Sequence, residues 1–158
     1  MSYNHDESLN YIFVQLTHLY FLRTHSLLDK IGLYPGQPPL LFKLEKNNGL
    51  SQKELADALS VKPSTITMMI KRMEKNELIR REQDEKDQRV SRIFITNLGI
   101  EKTKQLRELN EELEKEYTAD FTQEEKILLR RFFIQMRDNL KVGYNMNKKG
   151  RCDLDEKG

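Results

Sequence analysis

Within residues 61–76 lie the side chains best suited to meet a polyanion. On a helical projection Ser64, Thr67, Met68, Lys71 and Lys75 share one face, with Thr65 and Arg72 on its flanks and Lys62 just ahead of it. Ile66, Met69, Ile70 and Met73 fall on the other face and are expected to pack inward. Small hydroxyls come first and cations follow. Short donors and acceptors near a helix N-terminus reach base edges in a major groove, while long cations and the helix N-terminus hold phosphates. Four cations in this window face one anion, Glu74, a net of +3, whereas the whole chain of 158 residues carries only +2. The basicity is focused on one element. A second basic group follows: Arg80, Arg81, Lys86, Arg89 and Arg92, interspersed with Glu82, Asp84, Glu85 and Asp87. An arginine at a hairpin tip suits the narrow, electronegative minor groove beside a major-groove helix. The plainer reading of helix 63–76 is a solvated amphipathic surface that contacts nothing, and the basic hairpin beside it tells against that reading.

The flanking chain supplies elements that can hold these groups. Residues 8–30 read as a long helix with one apolar stripe through Leu9, Ile12, Phe13, Leu16, Leu19, Tyr20 and Leu27 and a second on the opposite side. The turn 32–39 ends it. Leu40, Leu41 and Leu44 begin a short helix that stops at Asn47-Asn48-Gly49. Ser51-Gln52-Lys53-Glu54 is a capping-box pattern opening the next helix. Ser60-Val61-Lys62 breaks that helix, and Pro63 suits the first turn of its successor. Leu78 to Glu82 and Val90 to Ile95 read as two strands joined by a charged tip. Thr96 is a candidate N-cap for a helix carrying Leu106, Leu109, Leu113 and Tyr117. Thr122-Gln123-Glu124-Glu125 opens a last helix whose apolar residues, Phe132, Phe133, Met136 and Leu140 among them, spread round most of its circumference. The expected fold is mainly α with a small β-hairpin wing: a winged helix-turn-helix over 35–96, flanked by dimerisation helices at 1–34 and 97–142, with a polar, frayed tail at 143–158.

Composition narrows the classes. Charged residues make up 33% and hydrophobic residues 37%, which suits solvated helices or a protomer that completes its core by oligomerising. Gly (7) and Pro (4) are too few for a turn-rich β sandwich. No apolar run approaches the roughly 18 residues of a membrane span, and the first residues lack the pattern of a secretory leader. A single cysteine, Cys152, excludes an internal disulfide framework. No nucleophile–base grouping, phosphate loop or metalloprotease motif appears, so no catalytic residue and no cofactor is expected. The expected location is cytoplasmic.

Leu78-Ile79-Arg80-Arg81, Asp87-Gln88-Arg89 and Ile95-Thr96-Asn97-Leu98-Gly99 together resemble the MarR family of bacterial regulators. That family's wing has an Asp-x-Arg pair followed by a hydrophobic-Thr-x-x-Gly. The stretches Ser51 to Ala56, Pro63 to Thr67 and Lys71 to Glu74 are also similar. The motif-dense part is about 50–99, and the helix order fits over roughly 8–142. The resemblance implies a homodimer with interlocked terminal helices whose winged domains straddle a pseudo-palindrome in double-stranded DNA. It implies that Asp87 steadies Arg89 and that Arg89 reaches the minor groove. Glu77 stands where the family often has glycine, and Asn76 is expected to supply the left-handed residue that ends the helix.

Other residues invite competing roles. Arg23 falls on the first apolar stripe of helix 8–30, where a guanidinium must snorkel, pair or meet an anion. The resemblance suggests a pocket for small, often phenolic acids, with Arg23, Tyr20 and Tyr34 as candidates; an ion pair is the plainer role for Arg23. His18 and His25 share a helix face, but neither they nor His5 complete an evident metal site, and no metal is expected. Cys152 in the tail is expected to be inert. The leading reading is a homodimeric, sequence-specific DNA-binding repressor relieved by a small ligand. A winged-helix protein-binding module, and a metal- or redox-responsive DNA-binding regulator, remain as alternatives.

Overall fold

The computed structural model describes residues 8–155, with side chains described through 144. The chain divides after Leu113 into two compact units. In the first, α1 (Leu9–Lys30) opens on Ser8, whose hydroxyl accepts the Tyr11 N–H at 3.1 Å. Only its last turn is buried, through Leu27 and Leu28. α2 (Gln37–Lys46) begins three residues earlier than its apolar pattern suggests. Pro38 and Pro39 fall in its first turn, where N–H groups have no intrahelical acceptor, so the prolines cost the helix nothing.

A two-residue strand, β1 (Leu50–Ser51), follows and leads into α3 (Gln52–Leu59). The capping box forms: Ser51 Oγ accepts from Glu54 N at 3.2 Å, and Glu54 Oε2 accepts from Ser51 N at 2.7 Å. Ser60 turns the chain at φ 53°, with the Val61 N–H closing on the Ala56 carbonyl, and α4 (Pro63–Lys75) begins. The strands β2 (Ile79–Gln83) and β3 (Ser91–Ile95) pair antiparallel, with Ile79 opposite Ile95 and Arg81 opposite Ile93. β1 adds to the free edge of β3, Leu50 opposite Ile93, so the wing belongs to a three-stranded sheet in the order β1-β3-β2. The amino-acid pattern shows only the hairpin, because the two residues of β1 are too few to show a strand period.

The end of α4 departs from the expectation. Asn76 stays at φ −90°, and Glu77 itself takes the left-handed conformation at φ 56°. The Leu78 N–H reaches back to the Met73 carbonyl at 3.0 Å, which requires the residue between the helix end and Leu78 to be left-handed. Thr96 then caps α5 (Asn97–Tyr117): its hydroxyl accepts the Gly99 N–H at 3.1 Å and donates to the Glu77 carbonyl at 2.6 Å. Gly99 is required by contact: a Cβ there would lie 2.3 Å from the Leu78 carbonyl oxygen and 2.6 Å from Ile95 Cγ1. The Thr-x-x-Gly pattern thus clamps the end of α4, β3 and α5 together.

The core of this unit gathers Leu41 and Leu44 of α2, Leu55 of α3, Ile66 and Ile70 of α4, Ile93 of β3 and Leu106 of α5, all fully buried. Leu106 joins most of α5 to the winged region, so the compact unit extends well past residue 96. Glu45 reinforces the join, accepting from the buried Thr103 hydroxyl at 3.0 Å and from Arg107. In the second unit Thr122 caps α6 (Gln123–Asp155) with Glu125, in a second capping box. The backbone of α6 stays helical to Asp155, past Gly143 where the sequence suggested fraying. Among the described residues no helix is long and apolar enough to cross a membrane.

Candidate nucleic-acid interface

α4 buries Ile66, Ile70 and Met73 and half-buries Met69, which leaves the opposite face to solvent. On that face Ser64, Thr65, Lys71, Arg72 and Lys75 are exposed, and Met68 is 74% exposed. Lys62 stands at the N-cap without capping the helix, and no other side chain does so. The first-turn N–H groups are therefore open, as a phosphate contact requires. Glu74 is paired with Arg81 of β2 at 3.2 Å. That contact offsets the single anion of the segment and leaves a cationic outer face.

Thr67 is held differently from its neighbours. Its hydroxyl donates to the Pro63 carbonyl at 2.8 Å and accepts from the Gln52 amide of α3. Arg72 lies with its guanidinium 4.8 Å from the centre of the Tyr34 ring, a cation–π arrangement.

At the tip of the wing Arg89 has a 91% exposed side chain. Asp87 holds it: one carboxylate oxygen accepts from the Arg89 backbone N–H at 3.0 Å and from Nε at 3.1 Å. These bonds, the guanidinium first, draw the Asp87 carboxyl below the usual carboxylate range. Lys86 is also exposed at the tip. Arg92 belongs elsewhere: it is bonded to Asp84 at 2.6 Å and to Glu54 at 3.2 Å. Arg92, Gln52 and Glu54 were missed as site-forming residues. Their partners are 8, 15 and 38 residues away in sequence, with no local pattern to announce them.

Tyr34, Pro35 and Gln37 face Thr65, Met68, Met69 and Arg72 across a groove of about 320 Å³. Gln37 is 3% exposed; its carbonyl accepts from the Tyr34 N–H at 2.8 Å, while its amide nitrogen has no hydrogen-bond partner. Arg23 and Tyr20 of α1 do not line this groove. His25 pairs with Asp29 at 3.3 Å. Among the described residues no three His, Cys, Asp or Glu side chains gather as a metal site. His5, and the side chain of Cys152, lie outside the described part.

Phe132, Phe133, Met136 and Leu140 lie on α6 with 39–66% of their surfaces exposed. On α1, Leu9, Ile12, Val14, Leu16 and Leu19 are each 44–87% exposed. Exposed apolar surface on this scale suits contact with another molecule.

A helix-turn-helix with its second helix presented outward, followed by a basic hairpin, is the winged form of DNA-binding domain. Residues 33–91 match the model of the MarR family. The chain is 32% identical over 104 residues to the HTH-type transcriptional regulator YwoH of Bacillus subtilis, covering 66% of this chain and 75% of YwoH. It is 32% identical over 100 residues to the transcriptional repressor MdtR of the same organism, covering 63% of this chain and 64% of MdtR, slightly under two thirds of that relative. The chain belongs to the MarR family of transcriptional regulators. Solved structures share the fold: a crystal structure of MarR has a TM-score of 0.75 at 23% identity, covering 90% of this chain and 97% of that one. The F27L mutant of S. aureus MepR bound to an oligodeoxyribonucleotide has a TM-score of 0.59 at 23% identity, covering 84% and 98%. PcaV of Streptomyces coelicolor, in complex with its natural ligand, has a TM-score of 0.71 at 17% identity, covering 87% and 97%.

Proposed function

We propose that the protein is a homodimeric repressor acting on DNA in the cytoplasm, with two copies of α4 in successive major grooves of a pseudo-palindrome. The observation that carries this reading is the outer face of α4: small hydroxyls at an uncapped N-terminus, then Lys71, Arg72 and Lys75. Ser64, Thr65 and Met68 meet base edges, and Lys62, Lys71 and Lys75 hold phosphates. Arg89, steadied by Asp87, enters the flanking minor groove, with Lys86 against the backbone. The exposed apolar faces of α1 and of α6, including Phe132, Phe133, Met136 and Leu140, are covered by a second copy. The name of one relative, transcriptional repressor MdtR, supports repression.

A small ligand relieves the repression. The groove beside Tyr34 supports this part, because its far wall is α4 itself. An aromatic carboxylate there would stack on Tyr34, take the Arg72 guanidinium and accept from the spare Gln37 amide. Arg23 and Tyr20 on α1 would then act from outside that groove. The ligand shifts binding only by its differential affinity for the DNA-competent arrangement.

The test is to sequence the genomic fragments that the purified protein selects, then to add aromatic carboxylates to the enriched duplex. The reading predicts an inverted repeat with half-site centres about 10 base pairs apart, and weaker binding with at least one acid. Fragments without a shared repeat would contradict the dimeric mode. Indifference to every acid would remove the ligand.

A further inference from the structure

We propose that Arg92 is a positioning residue for the wing: it ties the hairpin to α3 and so fixes where Arg89 stands relative to α4. The inference rests on the reading of Arg89 as the minor-groove contact.

A line of polar contacts runs from the helix-turn-helix to the wing tip. Arg92 Nε donates to Asp84 Oδ2 at 2.6 Å. Its Nη1 donates to Glu54 Oε2 at 3.2 Å and to the Gly49 carbonyl at 3.3 Å. Glu54 Oε2 also accepts from Ser51 N, so this carboxylate is fixed at the start of α3. Asp84 Oδ1 accepts from the backbone N–H groups of Lys86 and Asp87 at 2.9 and 3.0 Å and shapes the tip. Asp87 in turn holds Arg89.

The hairpin needs such an anchor. The strand register of β2 and β3 ends at Gln83 opposite Ser91. Beyond it the backbone contributes the bond from Asp84 N to the Val90 carbonyl and that from Val90 N to Asp87. Ser51 of β1 stands opposite Arg92, so the sheet is three-stranded up to that level; beyond it the tip rests on two strands alone, and such a ribbon is marginal without further contacts. Arg92 sits at the base of the tip, and its planar fork can engage two carboxylates and a carbonyl at once.

Arg92 differs from a phosphate contact. Its side chain is 35% exposed against 91% for Arg89, and it is already committed to two anions. The Asp84 side chain is only 17% exposed. Its carboxyl is held down to about 2, first by the Arg92 bond and then by the Asp87 and Lys86 N–H groups.

The experiment compares one enriched duplex core with A·T-rich or G·C-rich flanks, using the parent, Arg89→Ala, Arg92→Gln and the double variant, with melting temperatures alongside. The parent should favour A·T flanks, and Arg89→Ala should abolish the preference. Arg92→Gln should lose most of the flank preference while keeping its selectivity for the core. The double variant should be no worse than Arg89→Ala alone, because Arg92 acts through Arg89. Three results overturn the inference: Arg92→Gln keeps the parental flank preference, it loses core and flank selectivity in equal proportion, or the two losses add. If Arg92→Gln does not fold, Asp84→Asn takes its place with the same expectations. That substitution keeps the turn acceptor and removes the charge facing Arg92. No duplex binding by the parent would defeat the DNA-binding reading itself. Flank preference surviving Arg89→Ala would defeat the minor-groove role, and Arg92 positioning with it.

Discussion

The side-chain amide of Gln52 on α3 donates to the hydroxyl of Thr67 on α4, and that hydroxyl donates to the Pro63 carbonyl within its own helix. The two helices of the motif are therefore joined by a polar contact on the side where DNA would lie, as well as by the core beneath. Thr67 faces outward by periodicity, yet its donor is spent inside the protein. We propose that Thr67 helps to hold the angle between α3 and α4 rather than reading a base as its exposed position suggests, while Ser64, Thr65 and Met68 remain open.

Thr67→Val keeps the shape and removes the bridge. Affinity for the enriched duplex should fall by about tenfold, the scale of one or two net hydrogen bonds. Affinity for unrelated duplexes should change little. Equal losses on both duplexes would show that Thr67 does not set the register of the base-reading residues.

Backbone geometry at the end of α4 gives two stability predictions of opposite sign. Glu77 pays for a left-handed φ of 56°, so Glu77→Gly should raise stability by about 1 kcal/mol. Gly99→Ala should lower it by about 1–3 kcal/mol, because the new Cβ meets the Leu78 carbonyl. Denaturant midpoints decide both. A neutral Gly99→Ala would mean that α5 does not seat on that carbonyl.

These sites show how much the sequence revealed. Pro63, the capping box at Ser51 and the Thr-x-x-Gly at Thr96 carry their own local physics, so the helix boundaries they set were legible. Glu77 was misjudged in favour of Asn76, because propensity ranks residues but the bond from Leu78 to Met73 decides which one must turn left-handed. β1 was invisible, since its pairing with β3 spans 43 residues between Leu50 and Ile93. The outer face of α4 was readable from periodicity alone. The contacts of Gln52, Glu54 and Arg92 depend on tertiary approach, and one sequence does not display it.

The acid response of the wing follows from Asp84. Its folded carboxyl is depressed from 3.8 to about 2, so the contribution of its ionised form is fully present above the unfolded value and is lost as pH falls through about 2. Between about pH 5 and 8 the clamp should not respond to pH. An NMR titration of the Asp84 carboxyl should give a midpoint near the depressed value in the parent and a higher one in Arg92→Gln. A parental midpoint at 3.8 would mean that the ion pair does not form in solution.

The proposed dimer makes a harsher demand. Phe132 and Phe133 are 46% and 40% exposed on α6, beside Met136 and Leu140. Phe132→Glu with Phe133→Glu should give insoluble or unfolded chain, because the apolar faces of one protomer are left uncovered. Sedimentation of the parent should show a dimer at micromolar concentration. A folded, soluble monomer in either case would contradict the obligate homodimer.

If the cationic face of α4 holds DNA as proposed, duplex affinity must depend steeply on salt. For the parent, log affinity should fall linearly with log salt, by at least about a hundredfold between roughly 50 and 200 mM. Lys71→Ala should weaken every duplex alike and make the slope shallower by about one unit, the signature of one lost phosphate contact. A parent that binds no duplex at low salt, or a slope that Lys71→Ala leaves unchanged, would show that this face of α4 does not hold phosphates.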